Sequence, residues 1–254
     1  MKKLWVLLCA ALLAFSFAGC AGGGSEKIIV GLDDKFPPMG FRDENGELVG
    51  FDIDMARAAG EKMGVEMEFQ PINWSAKELE LSAKKVDLLW NGYTITEERK
   101  QQVLFTKPYL ENKQVIVVAA DAGITTKADL AGKIVTLQKD SSAMDALSAD
   151  EATKNSLAEV VELEDNIMAF QDLAIGRTNA VVIDEVVAKY YLEQNETNFI
   201  LLEDNFGDEQ YGVGVRLDDK ELLDKLQKAL DEMNEDGTAK RISEQWFGDD
   251  IVIK

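Results

Sequence analysis

From Lys27 onward, short apolar runs typical of strands alternate with segments whose apolar residues recur at helical spacing, over about 220 residues. Predicted strands cover residues 28–32, 65–69, 86–90, 115–119, 134–137, 160–163, 180–183, 199–202 and 211–215. Predicted helices cover residues 52–63, 75–85, 144–147, 166–175, 185–192, 218–233 and 240–246. This alternation predicts an α/β architecture with mainly parallel sheets, whose ligand crevices lie beyond the carboxyl ends of the strands.

The composition excludes several classes of function. The 254 residues contain no histidine and only two cysteines, Cys9 and Cys20, so neither a histidine-based nucleophile system nor a histidine- or thiolate-ligated zinc site nor an iron–sulfur cluster is expected in the folded body. The net charge of −20 repels nucleic acid and anionic lipid head groups. We therefore expect no cofactor, no metal and no nucleic-acid partner.

The N-terminal segment is predicted to be a targeting signal rather than part of the fold. Lys2 and Lys3 precede an apolar run that ends at Ala18 and is shorter than a bilayer-spanning helix, as in a secretory signal peptide covering residues 1–19. The sequence around Cys20 resembles a bacterial lipobox, although Phe17 stands where leucine is usual, and residues 20–25 form a lipidated cysteine with a flexible tether. An uncleaved or differently cut signal anchor remains the alternative.

The sharpest local motif runs from Trp90 to Arg99. A strand ends at Gly92, whose missing side chain allows a ligand to approach the backbone, and Thr94 adds a hydroxyl group. Thr96 is predicted to cap a following helix, and the planar guanidinium of Arg99 matches a carboxylate. The alternative is that Arg99 is a solvated helix charge.

Further candidates occur where predicted strands end. Asp33 and Phe36 follow the first strand, and Trp74 stands at a strand-to-helix junction. Ser142 opens a helix whose backbone N–H groups can receive an anion, and Asp184 ends a strand where a carboxylate can bind an ammonium group. Ordinary alternatives are core packing for Phe36 and Trp74, and helix capping for Ser142 and Asp184.

Taken in order, these motifs resemble those of the polar amino-acid binding proteins of bacterial ABC importers. The motifs are Gly31-x-Asp33-x-x-Phe36-Pro37-Pro38, Gly50-Phe51-Asp52, Asn91-Gly92-x-Thr94-x-Thr96-x-x-Arg99, Phe105-Thr106-x-Pro108-Tyr109, Ala180-x-x-x-Asp184 and Gln245-Trp246-Phe247-Gly248. The resemblance implies a two-lobed, type II periplasmic-binding fold. It places lobe 1 at residues 26–110 plus 212–254 and lobe 2 at residues 112–207, with hinges near residues 109–113 and 207–211.

The resemblance also implies a role for each candidate residue in an interlobe cleft. Arg99 binds the α-carboxylate with the backbone N–H groups of Thr94 and Ser142. Asp184 binds the α-ammonium group with Gly92 and Thr94. Phe36 and Trp74 enclose the side-chain stem of the ligand, and Asp33 meets its polar or cationic tip.

The function expected from the resemblance is capture of a free amino acid, such as glutamine, arginine, lysine or cystine, and its delivery to the transmembrane subunits of an ABC permease. The protein is expected to be a monomer, held by its lipid anchor at the cell surface or in the periplasm, and to catalyse no reaction. Two rivals remain: a dehydratase of the cyclohexadienyl or prephenate type, whose general acid could be a cleft carboxylate, and the ectodomain of an amino-acid sensor.

Overall fold

The computed structural model describes residues 26–194 and 198–254. The predicted signal peptide and Cys20 lie outside these residues. The strands are β1 (Lys27–Leu32), β2 (Lys35–Phe36), β3 (Gly40–Arg42), β4 (Leu48–Val49), β5 (Glu66–Pro71), β6 (Leu88–Leu89), β7 (Val103–Phe105), β8 (Leu110–Ala119), β9 (Ile134–Gln138), β10 (Glu159–Leu163), β11 (Ala180–Asp184), β12 (Phe199–Tyr211) and β13 (Gly214–Arg216).

The α-helices alternate with these strands along most of the described chain. They are α1 (Phe51–Met63), α2 (Lys77–Ser82), α3 (Ser142–Ala149), α4 (Glu151–Ser156), α5 (Asn166–Ala174), α6 (Glu185–Gln194), α7 (Lys220–Glu235) and α8 (Thr238–Phe247). Among the residues described, no helix is both long enough and apolar enough to cross a membrane.

Two five-stranded sheets organise the molecule. The first sheet has the order β5-β1-β6-β13-β7, and the second has the order β10-β9-β11-β8-β12. A small antiparallel sheet, β2-β3-β4, stands beside the first. In the first sheet β5, β1 and β6 pair in parallel, whereas β13 pairs antiparallel with β6 and β7. In the second sheet β10, β9 and β11 pair in parallel, whereas β8 pairs antiparallel with β11 and β12. The sheets are therefore mixed, and the expectation of mainly parallel sheets was wrong.

The two sheets are linked by chain segments that run side by side. Residues 110–113 of β8 pair antiparallel with residues 208–211 of β12, and we call these the crossing segments. At one end of the crossing segments Tyr211 also bridges to Thr94, and Leu110 bridges to Val252. Since β7 and β13 belong to the first sheet, the chain passes between the two sheets twice, immediately beside the crossing segments.

Local sequence explains how the site-bearing elements begin and end. Gly50 has φ 144° before α1, and a Cβ atom there would lie 2.2 Å from the Met39 carbonyl oxygen, so only glycine fits. Asp165 caps α5 by accepting a hydrogen bond from the backbone N–H of Met168. Buried apolar residues of β1, β6 and α1 pack with those of α7 in the main core.

Four predicted elements differ from those observed. The predicted strand 86–90 is reduced to β6, and the predicted helix 75–85 is a 3₁₀ turn, Trp74–Ala76, followed by the short α2. The predicted strands 199–202 and 211–215 are instead the long β12 and the short β13. Since β12 is an edge strand, its middle carries exposed polar residues that conceal the strand pattern in the sequence.

A candidate amino-acid cleft between two sheets

A narrow cavity lies between the two sheets and collects most of the predicted site. Its lining residues come from the loops and strand ends of both sheets: Asp33, Phe36, Trp74, Asn91, Gly92, Arg99, Gln138, Ser141, Ser142 and Asp184. Thr94, the remaining predicted site residue, reaches it through its hydroxyl oxygen, which lies 3.1 Å from that of Ser142. All eight predicted residues are thus brought together.

Arg99 is buried, with 6% of its surface exposed, so it is not the solvated helix charge of the alternative interpretation. Its Nη1 donates a hydrogen bond to the Thr94 carbonyl oxygen at 3.0 Å, and its guanidinium lies 4.9 Å from the centre of the Tyr93 ring. Two carboxylates stand further off, Glu78 at 4.0 Å and Asp145 at 3.8 Å. The guanidinium is therefore positioned by the protein while its carboxylate contacts stay long.

The segment after Thr94 is shorter than predicted. The predicted helix after Thr96 is a single 3₁₀ turn, Arg99–Gln101, because the chain must enter β7 at Val103. Thr96 still accepts a hydrogen bond from the backbone N–H of Arg99 at 3.1 Å. This bond holds Arg99 at the start of the turn.

Gly92 is held against the cavity by a buried acid on α1. The Gly92 N–H donates to Asp52 Oδ2 at 2.7 Å, and Gly92 itself has φ 57°, a conformation that favours glycine. A Cβ atom at this position would lie 2.8 Å from Phe36 Cε1. Glycine therefore suits this position for two reasons: the backbone conformation of the turn and the close approach of Phe36.

The opposite end of the cavity is built around Asp184, which is 5% exposed. Its Oδ1 accepts hydrogen bonds from Tyr211 Oη at 2.6 Å, Asn112 Nδ2 at 2.8 Å and Gln114 Nε2 at 3.0 Å. Burial, and after it the nearby charge of Glu209, raise the pKa of Asp184 well above its usual range. These hydrogen bonds orient the carboxylate toward the crossing segments.

A second acidic group, Asp33, lies where the two sheets approach each other. Asp33 Oδ2 accepts a hydrogen bond from Gln138 Nε2 at 2.7 Å, and Oδ1 accepts one from the Lys35 N–H at 2.9 Å. Burial raises the pKa of Asp33. Gln138 is in turn fixed by Asn166, whose Nδ2 donates to Gln138 Oε1 at 3.1 Å.

The two aromatic candidates both pack in the core and form part of the cavity wall. Phe36 and Trp74 are buried members of hydrophobic clusters, and both also line the cavity. Trp74 meets Tyr93 edge to face at a ring separation of 5.8 Å. Core packing therefore holds these rings in place at the cavity wall.

The start of α3 differs from an ordinary serine cap. The residue before the helix, Ser141, makes no side-chain capping bond, and its hydroxyl instead donates to the Gln138 carbonyl oxygen at 2.7 Å. The first residue of the helix, Ser142, turns its hydroxyl toward Thr94 and Gln114. Ser141 and Ser142 therefore both line the cavity at the start of α3.

Sequence reasoning missed several polar residues of the site. Asn112 and Gln114 lie on β8 before the predicted strand 115–119, and Glu209 lies on β12. Alternation of buried and exposed positions from Leu110 to Gln114 is the signal that could have found the first two. Asn91, Gln138 and Ser141 complete the cavity wall.

Two larger grooves contain none of the eight predicted residues. A groove of about 650 Å³, which Asn112 and Glu209 also line, lies behind the crossing segments, and another of about 540 Å³ lies beside the C-terminal residues. Among the residues described, no cluster of three or more acidic or other ligating side chains could hold a metal ion. The candidate site is therefore the smaller cavity between the sheets.

Comparison with known proteins places the chain in a family. Residues 28–249 match the family "Bacterial extracellular solute-binding proteins, family 3". The ABC transporter arginine-binding protein 1 of Escherichia coli is 35% identical, with 97% of this chain and 99% of that protein covered. The L-cystine-binding protein TcyJ of E. coli is 30% identical, with 99% and 96% covered.

A solved structure shows the same architecture. The substrate-binding protein of an ABC uptake transporter from Streptococcus pneumoniae, with bound histidine, superposes with a TM-score of 0.87 and 38% identity. The match covers 90% of this chain and 95% of that one. The chain belongs to the family 3 bacterial extracellular solute-binding proteins and has their two-lobed, type II periplasmic-binding fold.

Proposed function

We propose that this protein captures a free amino acid with a polar or cationic side chain between its lobes and delivers it to an ABC permease. The observation that carries the proposal is the placement of Arg99 and Asp184, buried groups of opposite charge that line one cavity: Arg99 lies in the turn before β7 of the first sheet, and Asp184 ends β11 of the second. A buried zwitterion needs a partner for each of its charges, because unpaired charges are costly to desolvate.

The roles proposed for the other residues are those that the family resemblance implies, and the places of these residues around the cavity support them. Arg99 binds the α-carboxylate with the backbone N–H groups of Thr94 and Ser142, and Asp184 binds the α-ammonium group with Gly92 and Thr94. Phe36 and Trp74 enclose the stem of the side chain, and Asp33 binds its tip. The acidic tip residue favours arginine, lysine, glutamine or cystine over acidic ligands, and relatives named for arginine and cystine binding support this range.

Closure of the lobes couples binding to transport. Lobe 1, residues 26–110 with 212–254, carries Arg99, and lobe 2, residues 112–207, carries Asp184. Membership of the two sheets supports these bounds, with the crossing segments as hinges. A ligand that holds both lobes stabilises the closed state, which the permease distinguishes from the open one.

Thermal-shift measurement with the standard amino acids, L-cystine and L-ornithine tests the proposal. We expect one or a few large shifts, since a bound ligand adds RT ln(1 + [L]/Kd) to the stability. Arg99→Ala should abolish the shift, whereas Lys100→Ala, which removes an exposed neighbouring cation, should preserve it. No shift with any of these compounds contradicts the proposed function.

The dehydratase alternative is tested with the same preparation. A pair of sites for both charges of an amino acid favours binding over catalysis, because prephenate carries no ammonium group. Incubation with prephenate should therefore give no turnover. Formation of an aromatic product would replace the transport function with an enzymatic one.

We also propose that the mature protein is a monomer anchored outside the cytoplasmic membrane through a lipid on Cys20. Cys20→Ser should move the protein from the membrane fraction to the soluble fraction, whereas Cys9→Ser, within the predicted signal peptide, should leave it membrane-bound. An unchanged distribution of the Cys20 variant contradicts lipidation at that residue.

A further inference from the structure

Asp184 is one member of a pair of carboxylates that share their hydrogen-bond donors. Asn112 Nδ2 lies 2.8 Å from Asp184 Oδ1 and 2.6 Å from Glu209 Oε1. Gln114 Nε2 lies 3.0 Å from the same Asp184 oxygen and 2.9 Å from the same Glu209 oxygen. Two acids that use the same two amides stand next to each other.

Glu209 also connects the pair to the other lobe. Its Oε1 lies 3.0 Å from Thr94 Oγ1, and Thr94 Oγ1 lies 3.1 Å from the hydroxyl oxygen of Ser142. Thr94 belongs to the lobe that carries Arg99, and Ser142 lines the cavity with Asp184. Glu209 itself lines the groove behind the crossing segments, and its contacts with Thr94, Asn112 and Gln114 connect it to the proposed ammonium subsite.

No basic side chain neutralises the pair. Within the two described ranges of the chain, no lysine or arginine nitrogen lies within 4.0 Å of either carboxylate. The other groups in contact are neutral: the Tyr211 and Thr94 hydroxyls and the two amides. Gln114 Oε1, a further acceptor, is buried without a hydrogen-bond partner.

The charged residues around Glu209 in the described part of the chain do not neutralise the two carboxylates. Those that line the groove behind it are Lys100, Glu111, Lys113, Glu185 and Asp208. Lys100 contacts Glu97 at 2.6 Å, and Lys113 lies 3.7 Å from Asp208. On the cavity side, Asp145 lies 3.8 Å from Arg99, whose Nη1 is bonded to the Thr94 carbonyl oxygen.

We propose that Glu209 is a second acid of the ammonium subsite, and that the bound α-ammonium group replaces a proton that Glu209 and Asp184 share in the unliganded protein. The inference rests on the proposed function, since it takes the ligand to be an amino acid. Adjacent carboxylates without a cation repel each other, and burial adds to this at Asp184, so one proton held between the two acids relieves the repulsion. An ammonium group supplies the missing positive charge, and the proton leaves to solvent.

The exchange has a defined pH dependence. Because binding releases a proton, affinity rises with pH, by at most about tenfold per pH unit for one proton released. Glu209→Gln keeps an oxygen acceptor for Thr94, Asn112 and Gln114 but removes one ionisable group. Its affinity should therefore change less with pH than that of the wild type, because burial still favours a proton on Asp184 but the neighbouring charge of Glu209 is gone.

Titration calorimetry in phosphate and in Tris buffer, between about pH 6 and pH 8, measures the proton directly. The probe is whichever of L-arginine and L-glutamine binds more tightly, since the α-amino groups of both free amino acids stay mainly protonated over this range. We expect proton release and a rising affinity for the wild type, and a smaller release with a shallower rise for Glu209→Gln. Near pH 8 the variant should bind about tenfold more weakly, through the loss of one charge-assisted contact.

Glu111→Gln is the matched control, because Glu111 is an exposed acid on the neighbouring crossing segment. It should keep both the proton release and the affinity of the wild type. Tight binding without proton release in the wild type, or an unchanged pH profile in Glu209→Gln, overturns the shared proton and leaves the proposed function standing. Absence of binding by both amino acids, together with no thermal shift from any other, overturns both.

Discussion

Asp52, beneath the Gly92 turn, offers the clearest test of how burial shapes this protein. It is 1% exposed, and its Oδ2 accepts hydrogen bonds from the Gly92 N–H at 2.7 Å and from Tyr109 Oη at 3.0 Å. Its Oδ1 is buried without a partner. Burial raises the pKa of Asp52 from 3.8 to about 7.

The sign of the effect on stability follows from which state holds the proton more tightly. Below about pH 4 Asp52 is protonated in both the folded and the unfolded chain. As the pH rises, the unfolded chain loses this proton first, so the folded state loses stability until the pH passes about 7. At ~1.4 kcal/mol per pH unit, the interval from 3.8 to about 7 corresponds to ~4 kcal/mol.

The perturbation is Asp52→Asn, which cannot ionise but keeps an oxygen acceptor for Gly92 and Tyr109. We expect the free energy of unfolding of the variant, relative to the wild type, to increase by up to ~4 kcal/mol between about pH 4 and pH 8. Taking the difference removes contributions from other titrating groups that the two proteins share. Urea denaturation followed by tryptophan fluorescence at a series of pH values measures it.

Glu61→Gln is the control, because Glu61 is an exposed acid on the same helix. Its free energy of unfolding should run parallel to that of the wild type across the series. A pH-independent difference between Asp52→Asn and the wild type would show that the buried carboxylate ionises without penalty, and would refute the reasoning from burial.

Three further substitutions test other parts of the site. Gly92→Ala places a Cβ at φ 57° and 2.8 Å from Phe36 Cε1, so we expect a loss of ~1–2 kcal/mol in urea denaturation and weaker ligand binding; wild-type affinity would contradict the close approach. Asp33→Asn should weaken L-arginine binding by at least about tenfold, measured by calorimetry, and L-glutamine binding much less, because only arginine brings a side-chain charge. Equal losses would remove Asp33 from the side-chain subsite. Lys35→Met breaks the 2.7 Å ion pair with Asp165 between the two proposed lobes. Because Lys35 is 54% exposed, the loss in binding free energy should stay below about 1 kcal/mol; a larger loss would show that this ion pair is a main contact of the closed state.

Much of this protein could be predicted from its sequence because the deciding signals are local. Strand and helix periods predict the α/β class, and the ordered motifs around Gly92, Arg99 and Asp184 predict which residues share a cleft. The buried guanidinium and the cavity that gathers Phe36 and Trp74 agree with that expectation. A pattern of residue types is sufficient for these conclusions, since each depends on a few neighbouring positions.

Only the tertiary structure decided how the parts meet. Glu209 is paired with Asn112 across 97 residues of chain, and Gln138 reaches Asp33 across 105. No local pattern specifies such contacts, because they depend on the register between β8 and β12 and on the approach of the two sheets. The sequence by itself therefore determined the class of fold and the charged groups available for a ligand, whereas the long-range pairing of strands decided which acids stand side by side and share their donors.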